Sequence, residues 1–328
     1  MNLQDIHIER FHLPFKNHFM NGGISITGKD VAILRVTCDG VLHEGEIGPF
    51  PGVHDKDLSD TLKNLALPRS LNIPAIDQWR LSENKFGLEL PGEGEAISSA
   101  WEQVLFSIYW ALQKYSLNGQ LLQAGLLTLG EGAESQAQTL VSNGFKTIKI
   151  KVGRSLKEDE AFYLKHVKDV CGNKVKFRLD GNQNLQYSQI EEFASILGEQ
   201  LEYVEEPFES IHQNLDLDFP VALDECLWGL KKMFDFEEAP FLVLKPMKVG
   251  LSQVFYWVKE QRWPKNKIVL SSCFDTGIAL RHYIKLACLL ELSSAHGFGT
   301  YRFFEKDVLP EPLPLHKGAF MVGGENWN

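Results

Sequence analysis

Short apolar runs alternate with polar turns and longer amphipathic segments from about residue 120 to residue 300. The apolar runs are rich in Val, Ile, Leu and Phe, which predicts buried strands, and the longer segments repeat apolar residues every three or four positions, which predicts helices. The predicted strands are 121–127, 147–152, 176–180, 201–205, 221–224, 242–245, 268–271 and 292–296, and the predicted helices include 156–171, 188–199, 251–262 and 276–290. This order indicates an α/β protein with a (β/α)8-type barrel over residues 96–303.

Residues 1–95 lack this regular alternation and predict an α+β capping domain. Residues 6–13 and 31–38 have the pattern of strands, and Asp39-Gly40 predicts a tight hairpin turn after the second of them. The Gly- and Pro-rich segment 45–52 predicts a loop, and helical periodicity marks 56–66 and 93–115. The Pro-rich tail, residues 304–328, is expected to run back over this capping domain.

Charged residues recur where the apolar runs of the predicted barrel end. They lie roughly 20 to 30 residues apart, which is about the length of one strand-plus-helix unit. They are Lys149 with Lys151, Asp180, Glu205 with Glu206, Asp224, and Lys245. Each alone has a plain alternative as a solvated residue in a turn. Together they predict a site, because parallel barrel strands place their C-terminal ends at one mouth.

Three carboxylates on consecutive strands predict a metal site at this mouth. Asp180, Glu205 and Asp224 supply hard oxygen ligands, which suit Mg²⁺ with water or substrate at the remaining positions. Zinc fits less well, because the sequence has no His-x-His or His-Glu-x-x-His pattern.

The lysines at the mouth are candidates for proton transfer. Lys149 and Lys151 are two residues apart on one strand and therefore project to the same side. A neighbouring like charge and partial burial both lower the pKa of an ammonium, which suits a general base. Lys245 lies across the mouth, where it is a second base, a cation facing the substrate, or a counter-ion to the carboxylates.

The segment after the seventh predicted strand offers hydroxyl groups at the start of a helix. Ser271 and Ser272 can bind a substrate carboxylate with the help of the helix N-terminus. Asp275 or Thr276 can instead cap that helix.

Composition excludes several classes of function. The chain of 328 residues is 44% hydrophobic and 23% charged, as is ordinary for a globular protein, and its net charge of −10 with no basic stripe argues against a nucleic-acid partner. No segment has the roughly 18 apolar residues of a membrane span, and the five scattered cysteines predict no disulfide framework. We therefore expect a cytoplasmic protein that acts on a small molecule, with no expectation for its oligomeric state.

The motifs resemble those of the enolase superfamily, and within it the muconate-lactonizing subgroup. The shared motifs, in order, are Lys-x-Lys at 149 and 151, Leu179-Asp180-Gly181-Asn182, Val204-Glu205-Glu206-Pro207, Leu223-Asp224-Glu225, Leu244-Lys245-Pro246 and Ser271-Ser272-x-Phe274-Asp275-Thr276-Gly277. Their order is most similar to that of the dehydrating enzymes of menaquinone biosynthesis. The resemblance covers the barrel and, through the Gly45-Glu46-Ile47-Gly48-Pro49 segment, the capping domain.

This resemblance implies a role for each motif. Asp180, Glu205 and Asp224 would hold Mg²⁺, and Lys151, tuned by Lys149, would remove the proton α to the substrate carboxylate. The protonated Lys151 would then protonate the departing hydroxyl, while Lys245 would stabilise the anionic intermediate. Further residues are implied beside the metal ligands, namely Glu206, Glu225 and Asp275, and at the substrate, namely Asn182, Ser271, Ser272 and Gly297.

The sequence also departs from the family pattern. Asn182 stands where Ala is frequent, Asp275 where Glu is common, and the eighth-strand segment 296–300 lacks the Asp-x-Asp of the dipeptide epimerases. Two alternatives to a magnesium-dependent lyase remain open. One is an N-succinylamino acid racemase or another cycloisomerase or epimerase of the subgroup, and a racemase would use Lys245 as a second base. The other is a non-catalytic barrel that binds acidic metabolites.

Overall fold

The computed structural model describes residues 1–21, 24–73, 90–113, 118–154, 157–228, 239–323 and 327. The ends of the predicted helices at residues 114–115 and 156 lie outside these ranges, as do 324–326 and 328 of the tail. Of the side chains at residues 20, 21, 24, 157 and 158 nothing is described.

An antiparallel sheet of four strands forms the N-terminal part of the chain. Its strand order is β3-β2-β1-β4. The strands are β1 (Asn2–Asn21), β2 (Ile24–Cys38), β3 (Val41–Ile47) and β4 (Ser70–Asn72), and the short helix α1 (Leu58–Leu62) lies between the last two. The hairpin predicted at Asp39-Gly40 is confirmed, since φ is +49° and +79° at these residues, as a tight turn between twisted strands requires.

Two predictions for this sheet were inaccurate. The first strands extend well beyond 6–13 and 31–38, because irregularities between Gln4 and His7 and between Pro14 and Phe19 let pairing continue past residues that interrupt the alternation. The predicted loop 45–52 was wrong at its start, since Gly45 belongs to β3. A Cβ atom at Gly45 would come within 2.1 Å of the Ala100 carbonyl oxygen, so this glycine permits close packing of a helix on the strand.

Seven parallel strands form the barrel sheet, in the order β12-β11-β10-β9-β8-β7-β6. They are β6 (Gly125–Thr128), β7 (Thr147–Lys151), β8 (Lys176–Asp180), β9 (Leu201–Glu205), β10 (Val221–Leu223), β11 (Phe241–Leu244) and β12 (Ile268–Leu270). Residues 292–296, which were predicted to form the eighth strand, do not form a continuous strand. Single bridges from Gln123 to His296 and from Ser271 to Gly297 occupy that place and connect the two edges of the sheet.

Helices lie before, between and after the barrel strands. They are α2 (Glu95–Gln113), α3 (Ala133–Ser142), α4 (Lys157–Cys171), α5 (Tyr187–Leu197), α6 (Ile211–Leu215), α7 (Pro246–Val249), α8 (Leu251–Phe255) and α9 (Gly277–Leu289). The predicted helix 251–262 is present over almost its whole length, because α8 continues directly into a π-helical turn over Tyr256–Glu260. No helix in these described ranges has an apolar stretch long enough to cross a bilayer.

The predicted strand 121–127 is divided in two. Its first part is β5 (Gly119–Leu122), which pairs with β14 (Ala319–Val322) of the tail in a three-stranded sheet completed by β13 (Leu315–His316). Its second part is β6 of the barrel. The tail touches the capping sheet where Phe304 bridges to Phe15, and its later residues pair with β5.

Candidate active site

The charged strand ends meet at one mouth of the barrel. Lys151 pairs in register with Asp180, and Asp180 pairs with Glu205. Asp224 directly follows β10, and Lys245 directly follows β11. The structure therefore brings these five predicted residues together, as expected for the C-terminal ends of parallel strands.

Lys149 lies between two carboxylates. Its Nζ atom is 3.0 Å from Asp180 Oδ2 and 2.7 Å from Glu205 Oε1. Burial favours a lower pKa for this ammonium, but the two carboxylates outweigh it and raise the pKa of Lys149 well above its usual value. Lys149 is therefore held as a cation.

Lys151 has the opposite electrostatic environment. Burial lowers the pKa of its ammonium; Asp180 opposes this, and Lys149, Arg154 and Lys245 lower the pKa further. The net result is a lowered pKa. A neutral amine is thus more accessible at Lys151 than at an ordinary lysine, and a neutral amine can accept a proton.

Lys245 forms an ion pair with Asp224 on the other side of the mouth. Burial favours a lower pKa for Lys245, but Asp224 and Glu225 raise it above the usual value. The ammonium also lies 5.1 Å from the centre of the Trp228 ring, within the range of a cation–π contact. This environment stabilises Lys245 as a cation.

The carboxylates retain oxygens that no protein donor satisfies. Glu205 Oε2, Asp224 Oδ1 and Glu225 Oε2 are buried and accept no hydrogen bond. Burial raises the pKa of Asp224 to about 6 and also raises the pKa of Glu205. At Asp180, burial is outweighed by Lys149 and Lys151, and the pKa is lowered.

In the described parts of the chain, no three His, Cys, Asp or Glu side chains are arranged as a metal centre, and Lys149 and Lys245 contact the carboxylates instead. The donor set nevertheless suits a hard cation. Buried, unpaired carboxylate oxygens are costly, and a divalent ion is the partner that such oxygens bind most strongly. Asp180, Glu205 and Asp224 therefore fit a magnesium ion in their chemistry.

The carboxylates next to these residues hold the surrounding backbone. Glu206 accepts hydrogen bonds from the Asp224 amide at 2.8 Å and from the Cys226 amide at 3.1 Å. The Asn182 side-chain amide donates to Glu225 Oε1 at 3.3 Å, and the Asn182 backbone amide donates to Asp180 Oδ1 at 3.2 Å. Glu206 and Asn182 thus fix the strand ends that carry Asp224 and Asp180.

Ser271, Ser272 and Gly297 lie together where β12 meets the eighth-strand position. The Gly297 amide donates to the Leu270 carbonyl oxygen at 2.7 Å, and the Gly297 carbonyl oxygen accepts from both serine hydroxyls at 3.3 Å. A Cβ atom at Gly297 would approach Ser271 Oγ to 2.9 Å. The glycine therefore allows these two segments to lie close together.

Asp275, which the resemblance implies beside the metal ligands, makes its hydrogen bonds at the boundary with the capping sheet. Its Oδ1 contacts Lys29 of the capping sheet, and its Oδ2 accepts from the Cys273 amide. The segment after β12 turns toward the capping sheet here, before α9 begins. Thr276, the other capping candidate, is the residue whose side chain caps α9.

Two sets of residues were missed by sequence reasoning. Arg178, two residues before Asp180, is 1% exposed and donates to Glu202 at 2.5 Å and to the Ala295 carbonyl oxygen at 2.6 Å. An arginine inside an apolar strand was the signal. Lys29 and Glu46 of the capping sheet were also missed, and their signal was charge on strands with an otherwise apolar face.

Aromatic side chains fill the boundary between the capping sheet and the barrel. The Phe274 ring lies 4.4 Å from that of Phe50, 5.1 Å from that of Phe19 and 5.3 Å from that of Phe15, measured between ring centres. These rings pack the boundary between the two parts of the chain beside the segment that follows Ser271 and Ser272.

Comparison with known proteins places this geometry in a family. A family model described as Enolase C-terminal domain-like matches residues 132–325, which is more than half of the chain. Protein PHYLLO, chloroplastic, of Arabidopsis thaliana is 28% identical over 222 residues, covering 56% of this chain but 12% of that protein. The o-succinylbenzoate synthase of Bdellovibrio bacteriovorus is 23% identical and covers 92% of this chain and 88% of that enzyme. The N-succinyl-L-Arg/Lys racemase of Bacillus cereus is 23% identical, with 76% and 74% covered.

Solved structures confirm the predicted barrel with its capping domain. The L-Ala-D/L-Glu epimerase from Bacillus subtilis matches with a TM-score of 0.77 and 16% identity over 99% of this chain and 97% of that one. The o-succinylbenzoate synthase from Thermosynechococcus elongatus BP-1, complexed with Mg in its active site, matches with a TM-score of 0.72 and 20% identity over 95% and 97%. At these identities the likeness shows the fold.

Proposed function

Since this chain belongs to the Enolase C-terminal domain-like family, we propose that it is a magnesium-dependent lyase that makes o-succinylbenzoate. The substrate would be 2-succinyl-6-hydroxy-2,4-cyclohexadiene-1-carboxylate, and the reaction would be the loss of water from one face of its ring. Relatives at low identity include both synthases and racemases, and features of the site itself support the lyase.

The observation that carries this proposal is the unequal state of the two facing lysines. The pKa of Lys151 is lowered, whereas the pKa of Lys245 is raised by Asp224 and Glu225. Lys151 thus suits a base, whereas Lys245, which pairs with Asp224 and lies 5.1 Å from the centre of the Trp228 ring, suits a cation. A syn dehydration needs one base on one face, whereas a racemase needs a base on each face.

Proton transfer would run through Lys151 alone. Neutral Lys151 takes the proton α to the carboxylate, so that the electrons of the C–H bond pass into the ring and the C–O bond to the hydroxyl breaks. The ammonium thus formed on Lys151 gives its proton to the departing hydroxyl, which leaves as water, and the ring becomes aromatic. Lys245 faces the negative charge that develops on the substrate.

A magnesium ion would be held by Asp180, Glu205 and Asp224. Support comes from the unpaired, buried oxygens Glu205 Oε2 and Asp224 Oδ1. The bound ion would supply positive charge that stabilises the developing charge on the substrate carboxylate. Glu206 and Glu225 would position the ligands, since Glu206 binds the Asp224 amide.

Other residues would bind and orient the substrate. We propose that Ser271 and Ser272 contact a substrate carboxylate and that Gly297 leaves room for it, because these residues meet at the mouth beside β12. Asn182, half-buried beside Asp180, would line the opposite wall.

The eighth-strand position argues against a dipeptide substrate. His296 is buried, accepts a hydrogen bond from the Leu270 amide at its Nδ1, and has its pKa lowered to about 3 by burial and by Arg178. It is therefore neutral, and segment 296–300 offers no carboxylate to pair with a substrate amine.

A direct assay tests the proposal. Purified protein, supplied with Mg²⁺ and the cyclohexadiene substrate, should produce the absorbance of the new aromatic ring, and a chelator should stop the reaction. A protein that leaves this substrate unchanged but exchanges the α-hydrogen of both enantiomers of an N-succinylamino acid with D₂O is a racemase instead. That rival is supported by the position of Lys245 opposite Lys151. A barrel that only binds metabolites would do neither.

A further inference from the structure

A cluster of buried charged side chains joins the capping sheet to the segment between β12 and α9. Lys29 comes from β2, Glu46 from β3 and Asp275 from that segment, and their exposed fractions are 3%, 0% and 0%. The Lys29 Nζ atom lies 3.1 Å from Glu46 Oε1 and 3.2 Å from Asp275 Oδ1. The cluster therefore spans the boundary between capping sheet and barrel.

The same side chains hold the backbone of the segment. Lys29 Nζ donates to the Cys273 carbonyl oxygen at 3.2 Å, and Asp275 Oδ2 accepts from the Cys273 amide at 3.0 Å. Glu46 Oε2 accepts from the Thr276 amide at 2.8 Å and from the Thr276 hydroxyl at 2.7 Å. The capping sheet thus holds both ends of this short segment.

Phe274, inside the segment, has a backbone conformation that needs support. Its φ is +57°, in the left-handed region that is unfavourable for a bulky residue. Such a conformation is unfavourable and persists only where the surroundings enforce it. The stacking of its ring on Phe50 and Phe19 and the hydrogen bonds of its neighbours supply that support.

The buried charges fix the geometry of the segment more than they stabilise the fold. Three charges buried together add little net stability, because lost hydration offsets their attraction. Hydrogen bonds to charged groups, however, are strong and restrict geometry. An apolar contact of the same size would join the two parts of the chain without setting the position of the Cys273 and Thr276 backbone.

We infer that Lys29 and Glu46 are positioning residues that set substrate affinity from the capping sheet. Ser271 and Ser272 directly precede the held segment, so its displacement would move the groups proposed to bind the substrate carboxylate. Lys151 belongs to a different strand, β7, and would keep its place. The inference rests on the proposed function and extends it to residues that do not touch the substrate.

The variant Lys29→Met tests the inference. This substitution removes the charge and nearly keeps the length of the side chain. Lys285→Met is the matched control, because Lys285 is also buried, at 6% exposed, but lies in α9 beside the Trp110 ring. In Lys29→Met we expect hydrogen–deuterium exchange of the Cys273 and Thr276 amides to become at least about tenfold faster. We also expect KM to rise about tenfold with kcat within threefold. The control should not make this exchange faster and should leave KM unchanged.

Two results would overturn the inference: unchanged exchange in a folded Lys29→Met variant, or faster exchange with an unchanged KM. If circular dichroism shows that Lys29→Met does not fold, Glu46→Gln replaces it, since this substitution keeps the size of the side chain. The same measurements and the same criteria then apply to Glu46→Gln. Exchange needs no turnover, so it decides whether Lys29 and Glu46 hold the segment even if the wild-type chain fails to dehydrate the substrate. Absent wild-type turnover would instead refute the proposed function.

Discussion

Replacing Lys151 by methionine should remove catalysis while leaving metal binding intact. The substitution keeps the length of the side chain but eliminates the amine. Neither neighbouring lysine can take over, because Lys149 is bound by two carboxylates and Lys245 by Asp224, and the pKa of both is raised. The loss should therefore reflect the whole contribution of the base.

That contribution sets the magnitude. General base catalysis typically contributes about 10²- to 10⁴-fold in rate, which corresponds to about 3–5 kcal/mol of barrier. With no substitute amine among these three lysines, we expect kcat to fall about 10⁴-fold. Magnesium affinity should stay equal or increase, since the positive charge of Lys151 acts on Asp180 and would be gone.

Two assays check this expectation: the appearance of the aromatic product for kcat and titration calorimetry for Mg²⁺. Lys146→Met is the matched control, because Lys146 is an exposed lysine just before β7. A Lys151→Met enzyme with more than about a tenth of the wild-type kcat would refute Lys151 as the base. A parallel loss of magnesium affinity would show that the lysine acts through the metal site.

Three further predictions follow from the charges. Because Lys151 must be neutral to act and its pKa is lowered, kcat/KM should rise with pH and level off below pH 10.5. Lys149→Met removes a like charge near Lys151 and should therefore move the midpoint of this pH profile upward. Asp224→Asn should weaken Mg²⁺ binding at least about tenfold by calorimetry; unchanged affinity would exclude Asp224 as a ligand. Burial lowers the pKa of Lys285 to about 8, so folding disfavours its ammonium and stability should increase between pH 8 and 10.5. After the lost contact with Trp110 is allowed for, Lys285→Met should raise the free energy of unfolding at pH 7 by about 1 kcal/mol. It should also abolish the increase of this free energy between pH 8 and 10.5, and denaturant titrations measure both effects.

Much of the barrel was predictable because local patterns carried it. The strands at 147–151, 176–180 and 201–205 match the apolar runs, and a strand that ends before a helix places its last charge at the mouth. The division of 121–127 between two sheets was not predictable, because β5 pairs with β14, almost 200 residues later in the chain. The eighth strand was predicted wrongly for a similar reason. An apolar run shows that a segment is buried, but it does not show whether the segment pairs with a neighbouring strand along its length.

The sequence by itself determined the order and the chemistry of the charges, because strand periodicity and the strand-to-helix spacing place Lys151, Asp180 and Glu205 at successive strand ends. Only the tertiary structure decided what each charge does electrostatically. Lys149 and Lys151 are the same residue type on one strand, but Lys149 contacts two carboxylates and its pKa rises, whereas burial dominates at Lys151 and its pKa falls. A pKa depends on burial and on charges from other strands, and these exist only once the chain has folded.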